Sequence, residues 1–239
     1  MMFIDQDDTL VTGILKKMTV KAEKLNSDII AAGYQRVAHD GKIKLKIILQ
    51  DTEWSKFKIV APWSKLYRTE FVLKNKVKFL PVVLGEDVYF LMQLYSFEPK
   101  VDFLEEIGYN WLDNAESLSN TTYKRLEEET SLLSLYNMLE RLKNKEKLKK
   151  DRMYEYFLIK TAVWNILYTL RKNNYAVVLK NSICIWSWFN NHFTDYMRNP
   201  YIKITKLKGE SLKIRFVVWA YMTIKKVGCE RLFLRIFSR

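Results

Sequence analysis

Three carboxylates fall within four residues, Asp5-Gln6-Asp7-Asp8, directly after the apolar run Met1-Met2-Phe3-Ile4. The run reads as a buried strand. A strand ending in three close like charges is destabilised by their repulsion unless something neutralises them. A divalent cation does so. Mg²⁺ and Mn²⁺ prefer carboxylate oxygens, often only one or two, and leave their other positions to phosphate oxygens and water. The cluster points to a metal–diphosphate site. Taken alone it also reads as a set of helix N-cap carboxylates, because Asp before a helix is common.

The chain has room for one large domain, or for one domain with a helical appendage. Its 239 residues are 49% hydrophobic, with only 7 Gly and 4 Pro, which excludes a low-complexity or disordered chain. Cys184 and Cys229 have no CxxC partner and read as reduced thiols of a cytosolic compartment. His39 and His192 have no partner at metal-ligand spacing.

Charge divides the chain. Residues 1–140 hold 18 Lys+Arg against 21 Asp+Glu, net −3, and residues 141–239 hold 22 against 6, net +16. A basic segment suits an anionic membrane surface or nucleic acid. Without zinc-finger spacing, a recognised RNA-binding motif or a Gly-rich basic tail, nucleic acid is not an expected partner. No apolar stretch reaches the length of a membrane span, and Asp5, Asp7 and Asp8 interrupt any signal-peptide layout. Lys143–Lys150 and Lys203–Lys208 read either as solvated faces or as surface turned to a membrane.

Periodicity orders the rest. It predicts a helix over Thr9–Leu25, whose first turn lies beside the acidic cluster, a strand over Asp28–Tyr34, and a half-exposed strand over Lys42–Leu49, where Lys alternates with Ile and Leu. Pro62 breaks the aromatic and basic stretch Ile59–Arg68, and a short helix is expected over Thr69–Asn75. A further helix runs from Asp87 and ends before Pro99, followed by a strand over Ile107–Asp113. Ser119 or Asn120 is a candidate cap. From Thr122 the pattern is helical, with apolar stripes in Leu132–Leu142, Tyr154–Leu170, Ser182–Phe193, Ser211–Val227 and Glu230–Phe237. The change near residue 120 has no Gly/Ser linker, so the later helices are expected to pack on the first part.

Three blocks in this order resemble family-2 glycosyltransferases of the GT-A fold, particularly bacterial ones that build capsular and other surface polysaccharides. Phe3-Ile4-Asp5-Gln6-Asp7-Asp8 is similar to the family's metal-binding block, with Gln6 where a small residue is usual. Pro62-Trp63-Ser64-Lys65-Leu66-Tyr67-Arg68 resembles the segment lining the acceptor side. Gly85-Glu86-Asp87, followed by an apolar helix, resembles the family's Glu-Asp pair. Ile107-Gly108-Tyr109-Asn110-Trp111, with Ser117-Leu118-Ser119 after it, is like the strand that follows.

The resemblance implies an α/β chain: residues 1–120 as the C-terminal half of a GT-A domain, and residues 121–239 as a basic, aromatic-rich helical region. The family's nucleotide-binding half precedes the acidic strand and is expected to be missing. A split gene with a partner chain, a late start and a remnant all fit, and activity of the chain alone is in question. The implied reaction is metal-dependent, inverting transfer of a sugar from a nucleotide-sugar to an acceptor hydroxyl in polysaccharide biosynthesis. Asp7 coordinates Mg²⁺ or Mn²⁺. Asp5 lies towards the metal or the donor ribose, and Asp8 supports the donor side. Asp87 is the base, held or tuned by Glu86. Trp63 and Tyr67 offer faces to a sugar ring, as readily as they pack in a core, and Lys65 and Arg68 reach acceptor phosphates. A lipid-linked or glycan acceptor would place the protein in the cytoplasm, peripheral on the inner face of the cell membrane. The alternative is a non-enzymatic fragment that binds membrane or a partner through a bare sheet edge.

Overall fold

The computed structural model describes residues 1–82, 85–113, 131–169 and 173–238. Two compact units divide the chain, Met1–Arg125 and Leu126–Arg239.

The first unit is built on a mixed sheet. Strand β1 (Thr9–Leu10) is followed by helix α1 (Ile14–Leu25), β2 (Ile29–Val37), β3 (Ile43–Ile47), a 3₁₀ turn (Glu53–Phe57), β4 (Lys65–Tyr67), α2 (Thr69–Lys74), α3 (Glu86–Tyr95) and the long β5 (Val101–Leu112). The order is β1-β5-β2-β3, with β4 also paired to β2. β2 runs parallel to β5 along its whole length. Its other edge is shared: Ile29–Ala31 pair antiparallel with β4, and Tyr34–Val37 with β3.

β2 is central because its Ile-Ile-Ala-Ala run is buried on both faces. Ile30 and Ala32 pack with Ile14 and Met18 of α1 on one side. Ala31 packs with Leu49, Ile59 and Phe103 on the other. Two glycines permit these approaches. A Cβ on Gly33 would lie 2.2 Å from the Ile47 carbonyl oxygen, and one on Gly108 would lie 2.8 Å from Ala32 Cβ and 2.9 Å from Ile14 Cγ1.

Two expectations are corrected near the amino terminus. Met1–Ile4 forms no extended strand; it touches the sheet through two isolated bridges, Met2–Leu66 and Phe3–Trp63, and through hydrogen bonds between the Met1 and Tyr67 main chains. Ile4 is 50% exposed, so only the middle of the run is partly buried. The helix expected from Thr9 begins at Ile14, because Thr9 and Leu10 pair antiparallel with Asn110 and Tyr109, and Gly13 (φ 79°) then turns the chain. The acidic cluster therefore leads into a strand and does not cap a helix. The strands over Asp28–Tyr34, Lys42–Leu49 and Ile107–Asp113 and the helices near Thr69 and Asp87 are present, with β2 and β5 longer than expected.

The second unit is helical: α4 (Ser131–Leu139), α5 (Lys145–Lys150), α6 (Arg152–Trp164) continuing into a π turn (Asn165–Thr169), α7 (Tyr175–His192), two short 3₁₀ turns (Tyr196–Arg198 and Pro200–Ile202), α8 (Leu212–Lys226) and α9 (Glu230–Phe237). Its core is aromatic, with Tyr136, Tyr156, Phe157, Trp186 and Phe189 all buried. Asp151, Asn174 and Ser211 cap α6, α7 and α8 by accepting main-chain N–H bonds. The expected cap at Ser119 or Asn120 and the helical pattern of residues 122–130 lie outside the described residues.

Candidate active site

The acidic turn is organised by the far end of β5. The Asp8 N–H donates to the Asp5 carbonyl at 3.1 Å, closing a turn over Asp5-Gln6-Asp7-Asp8. The Asp5 N–H donates to the Tyr109 hydroxyl at 3.0 Å. Asp8 Oδ1 accepts the Leu112 N–H at 2.7 Å. β1 continues from this turn into register with β5. Residues more than 100 positions apart in sequence thus fix the turn's orientation.

The charge there is only partly compensated. Burial, then Asp8 and Asp7, push the Asp5 carboxyl above its ordinary range. Asp8 Oδ2 is buried with no hydrogen-bond partner among the described residues. Burial holds the Tyr109 hydroxyl protonated against the pull of the Asp5 N–H, and hydrogen bonding to the Asp8 side chain and the Asp8 and Asp5 charges add to the effect.

Asp87 feels the charge of this turn. α3 begins at Glu86 after Gly85 (φ 85°), so both acids stand in its first turn, where the helix dipole favours negative charge. Phe3 joins the two segments: its ring meets Tyr67, Phe79 and Phe90 edge-on at 5.6, 5.3 and 5.3 Å. Burial first, then Glu86 and Asp5, push the Asp87 pKa up to about 7, against the pull of Lys65. The Asp5 charge thus reaches Asp87, 82 positions later in the sequence.

Lys65 lies beneath this group rather than at its mouth. It is 1% exposed, and its ammonium donates to the Ile59 and Ala61 carbonyl oxygens at 2.9 and 2.6 Å. Burial pulls its pKa down to about 7, while Asp87 works in the opposite sense. Tyr67 is also buried, its hydroxyl donating to the Pro62 carbonyl at 2.7 Å. Arg68 is spent at the start of β2, bonded to Asn26 Oδ1 at 2.7 Å and the Ser27 carbonyl at 2.9 Å, with Asp28 at 3.2 Å. Lys65 and Tyr67 are thus turned into the interior, away from any acceptor at the surface, while Arg68 stays exposed with its guanidinium bonded at the head of β2.

Trp63 is placed differently. It is half-buried and stacks on Tyr109 with centroids 4.7 Å apart and rings 9° from parallel. Trp111 lies 6.4 Å from it and Tyr34 meets its edge at 4.9 Å. Tyr109 is the residue that sequence reasoning passed over. It bonds the acidic turn through its hydroxyl and carries Trp63 on its ring, so one side chain links both halves of the site. The alternation Tyr109-Asn110-Trp111 on a strand was the available signal.

Among the described residues no three His, Cys, Asp or Glu side chains converge as a metal cage. A cation held by one or two carboxylates and completed by diphosphate and water needs no such cage. The unpartnered Asp8 Oδ2 and the crowded Asp5 carboxyl fit that more open kind of site.

No protein-family profile matches the chain. It is 24% identical over 158 residues to a cholesterol galactosyltransferase of Borreliella burgdorferi, a match covering 57% of this chain and 44% of that protein. Among solved structures it superposes on residues 1–349 of S. aureus TarS in complex with UDP-GlcNAc at a TM-score of 0.64 and 14% identity, covering 98% of this chain and 66% of that one. The TarS 1–349 crystal structure described without a ligand gives a TM-score of 0.58 at 14% identity, covering 98% and 64%. The chain spans less than half the length of the curated relative. The α/β fold with carboxy-terminal helices is that of TarS.

Proposed function

We propose that this chain takes part in transfer of a sugar from a nucleotide-sugar to an acceptor hydroxyl. One observation carries the reading: the carboxylate turn at Asp5–Asp8 lies near enough to the α3 acid Asp87 for the Asp5 charge to help raise its pKa to about 7. A general base works best with a pKa near the operating pH. The relatives support the reaction class, one being named a galactosyltransferase and the other having been solved with UDP-GlcNAc.

In this reading Asp87 accepts the acceptor hydroxyl's proton as that oxygen attacks the anomeric carbon from the face opposite the diphosphate, which inverts its configuration. Glu86, beside it, helps raise its pKa. Asp7 and Asp5 would hold Mg²⁺ or Mn²⁺, and Asp8 supports the donor side. The cation would supply neutralisation of the departing diphosphate. Tyr109 holds the Asp5 main chain, and Trp63, standing on Tyr109, offers an apolar ring to the acceptor side. Lys65 acts from below, favouring the ionised form of Asp87 while its own amine is protonated. A lipid-linked or glycan acceptor in surface-polysaccharide synthesis fits this chemistry.

The test is release of UDP from UDP-galactose and from UDP-GlcNAc in Mn²⁺, with and without added sugar acceptors. Acceptor-dependent release by the parent, lost in Asp87→Asn, is expected. Equal release by parent and Asp87→Asn removes Asp87 from the base role.

A second reading rests on the exposed Met1 and Ile4 of a segment joined to the sheet by two isolated bridges. There the first unit binds a partner chain that adds backbone at this edge. Donor turnover appearing only on adding such a partner would favour it.

A further inference from the structure

The helices α8 and α9 carry an apolar surface that the second unit leaves uncovered. On α8, Leu212, Phe216, Trp219, Thr223 and Val227 recur at helical spacing and form one stripe that runs just past the helix end. The four apolar members are 66%, 54%, 38% and 66% exposed, while Val218, Tyr221 and Met222 on the opposite side are buried. On α9, Leu234 faces inward, and Leu232 and Ile236, on the other side, are exposed.

The charge around these stripes has a single sign. Lys206, Lys208, Lys213, Lys226, Arg231 and Arg235 are all exposed. Residues 200–239 contain two acids, and both are turned inward. Glu210 is buried and bonded to Lys160 at 3.0 Å. Glu230 accepts from Tyr221 at 2.5 Å, Ser182 at 2.6 Å and Lys225 at 2.8 Å, which locks α9 onto α7 and α8.

We propose that this face of α8 and α9 docks the protein on an anionic lipid bilayer. A bilayer surface accommodates both features: apolar side chains enter the boundary between headgroups and acyl chains, and Lys and Arg meet lipid phosphates. Trp219 is suited to that boundary. A second copy would set bases against bases. Nucleic acid would use the bases and leave Leu212, Val227, Leu232 and Ile236 in water. No described helix is long and apolar enough to cross a membrane, so the contact lies along the surface. The proposal deepens the lipid-linked-acceptor part of the functional reading but stands on its own observations. Its test uses no donor or acceptor, so its failure and that of the transfer reading are separable.

The full chain is sedimented with vesicles of phosphatidylcholine alone and of phosphatidylcholine mixed with phosphatidylglycerol. Binding to the mixed vesicles is expected, weakened by high salt and about tenfold or more weaker on phosphatidylcholine alone. Phe216→Ser with Trp219→Ser, and separately Lys213→Glu with Lys226→Glu, should each lower binding by roughly tenfold or more while melting like the parent. Should the first pair fail to fold, Trp219→Phe replaces it: brominated lipid should quench parent fluorescence more than that of the variant. Equal binding to both vesicle types, unchanged binding by both folded pairs, or equal quenching overturns the proposal. So does a parent that self-associates through this face without binding vesicles, or one that binds an RNA oligonucleotide through the lysines and ignores lipid.

Discussion

The Asp5 main-chain N–H donates to the hydroxyl of Tyr109 at 3.0 Å, joining the acidic turn to a strand 104 residues later. The same tyrosine ring lies flat beneath Trp63. One side chain therefore sets both the backbone that presents the carboxylates and the indole beside them.

Tyr109→Phe keeps the stacked ring and deletes the hydroxyl. The Asp5 N–H loses its acceptor, and stability should fall by about 1 kcal/mol, the usual net worth of one hydrogen bond. Urea unfolding reads that loss. The functional loss should be larger, because the turn is released where position matters; donor turnover should drop about tenfold or more. A variant that unfolds earlier yet turns over donor like the parent would separate Tyr109 from the site.

Asp87 predicts the shape of the pH profile. Its pKa is raised to about 7, and a base must be ionised to act, so transfer should rise with pH through about 7 and then level off. Asp87→Asn should remove that limb along with most of the rate. Stability moves the other way. The folded value lies above the ordinary 3.8, so the protonated carboxyl's contribution is complete below pH 3.8 and is lost as pH rises through about 7. Parent and Asp87→Asn melting curves compared across that window would show it.

Lys65→Met retains much of the volume of a buried side chain and removes its charge. The Ile59 and Ala61 carbonyls lose their donor in the interior, which should destabilise the unit by about 2–3 kcal/mol. Asp87 loses its nearby cation, so its pKa should rise and the acid limb of the rate should move to higher pH. Lys65→Arg, which keeps the charge, should restore the limb more fully than the stability. An unmoved limb in Lys65→Met would leave the lysine a purely structural part.

The blocks were legible where chemistry is local. Asp5–Asp8 and Glu86-Asp87 announce themselves by charge, and the alternating lysines of β3 and the apolar stripe of α3 follow from period alone. What sequence could not show was direction. Lys65 and Arg68 look like surface bases in a Pro-Trp segment, yet one is buried against two carbonyls and the other is bound at the head of β2, because pairing with β2 decides which side chains of Lys65-Leu66-Tyr67 face inward. Met1–Ile4 does not form the buried strand expected of it for a related reason: apolar composition reports a preference for burial, while pairing needs a neighbour along the whole run, and here the pairing is confined to Met1 with Tyr67 and to single bridges at Leu66 and Trp63. The helix expected from Thr9 gave way to β1 because β5 offers a longer partner than the periodicity of α1 reveals.

Gly108 sits where α1 rests on β5, with Ile14 and Ala32 closer to its missing Cβ than real contacts allow. Gly108→Ala should cost about 1–3 kcal/mol through overpacking. Gly33→Ala should cost more, because its obstacle at 2.2 Å is a backbone carbonyl that cannot rotate away. Chemical denaturation of both variants tests the ranking. A Gly33→Ala protein as stable as Gly108→Ala would mean that β3 yields easily at Ile47.

Metal dependence is the sharpest test of the acidic turn. With the Asp5 carboxyl crowded by Asp8 and Asp7, and Asp8 Oδ2 buried without a partner, a divalent cation should relieve repulsion already present in the fold. Mn²⁺ should bind the chain weakly alone and more tightly with UDP, whose diphosphate supplies further oxygens. Asp7→Asn should weaken Mn²⁺ binding about tenfold or more in the presence of UDP, since a carboxylate ligand is replaced by a neutral amide. Removing metal with EDTA should abolish donor turnover, and returning Mn²⁺ should restore it. Electron paramagnetic resonance of free Mn²⁺ follows binding without reference to activity. If parent and Asp7→Asn deplete the free-ion signal equally, the cation is held elsewhere, and the carboxylates of this turn serve only to shape the approach to Asp87.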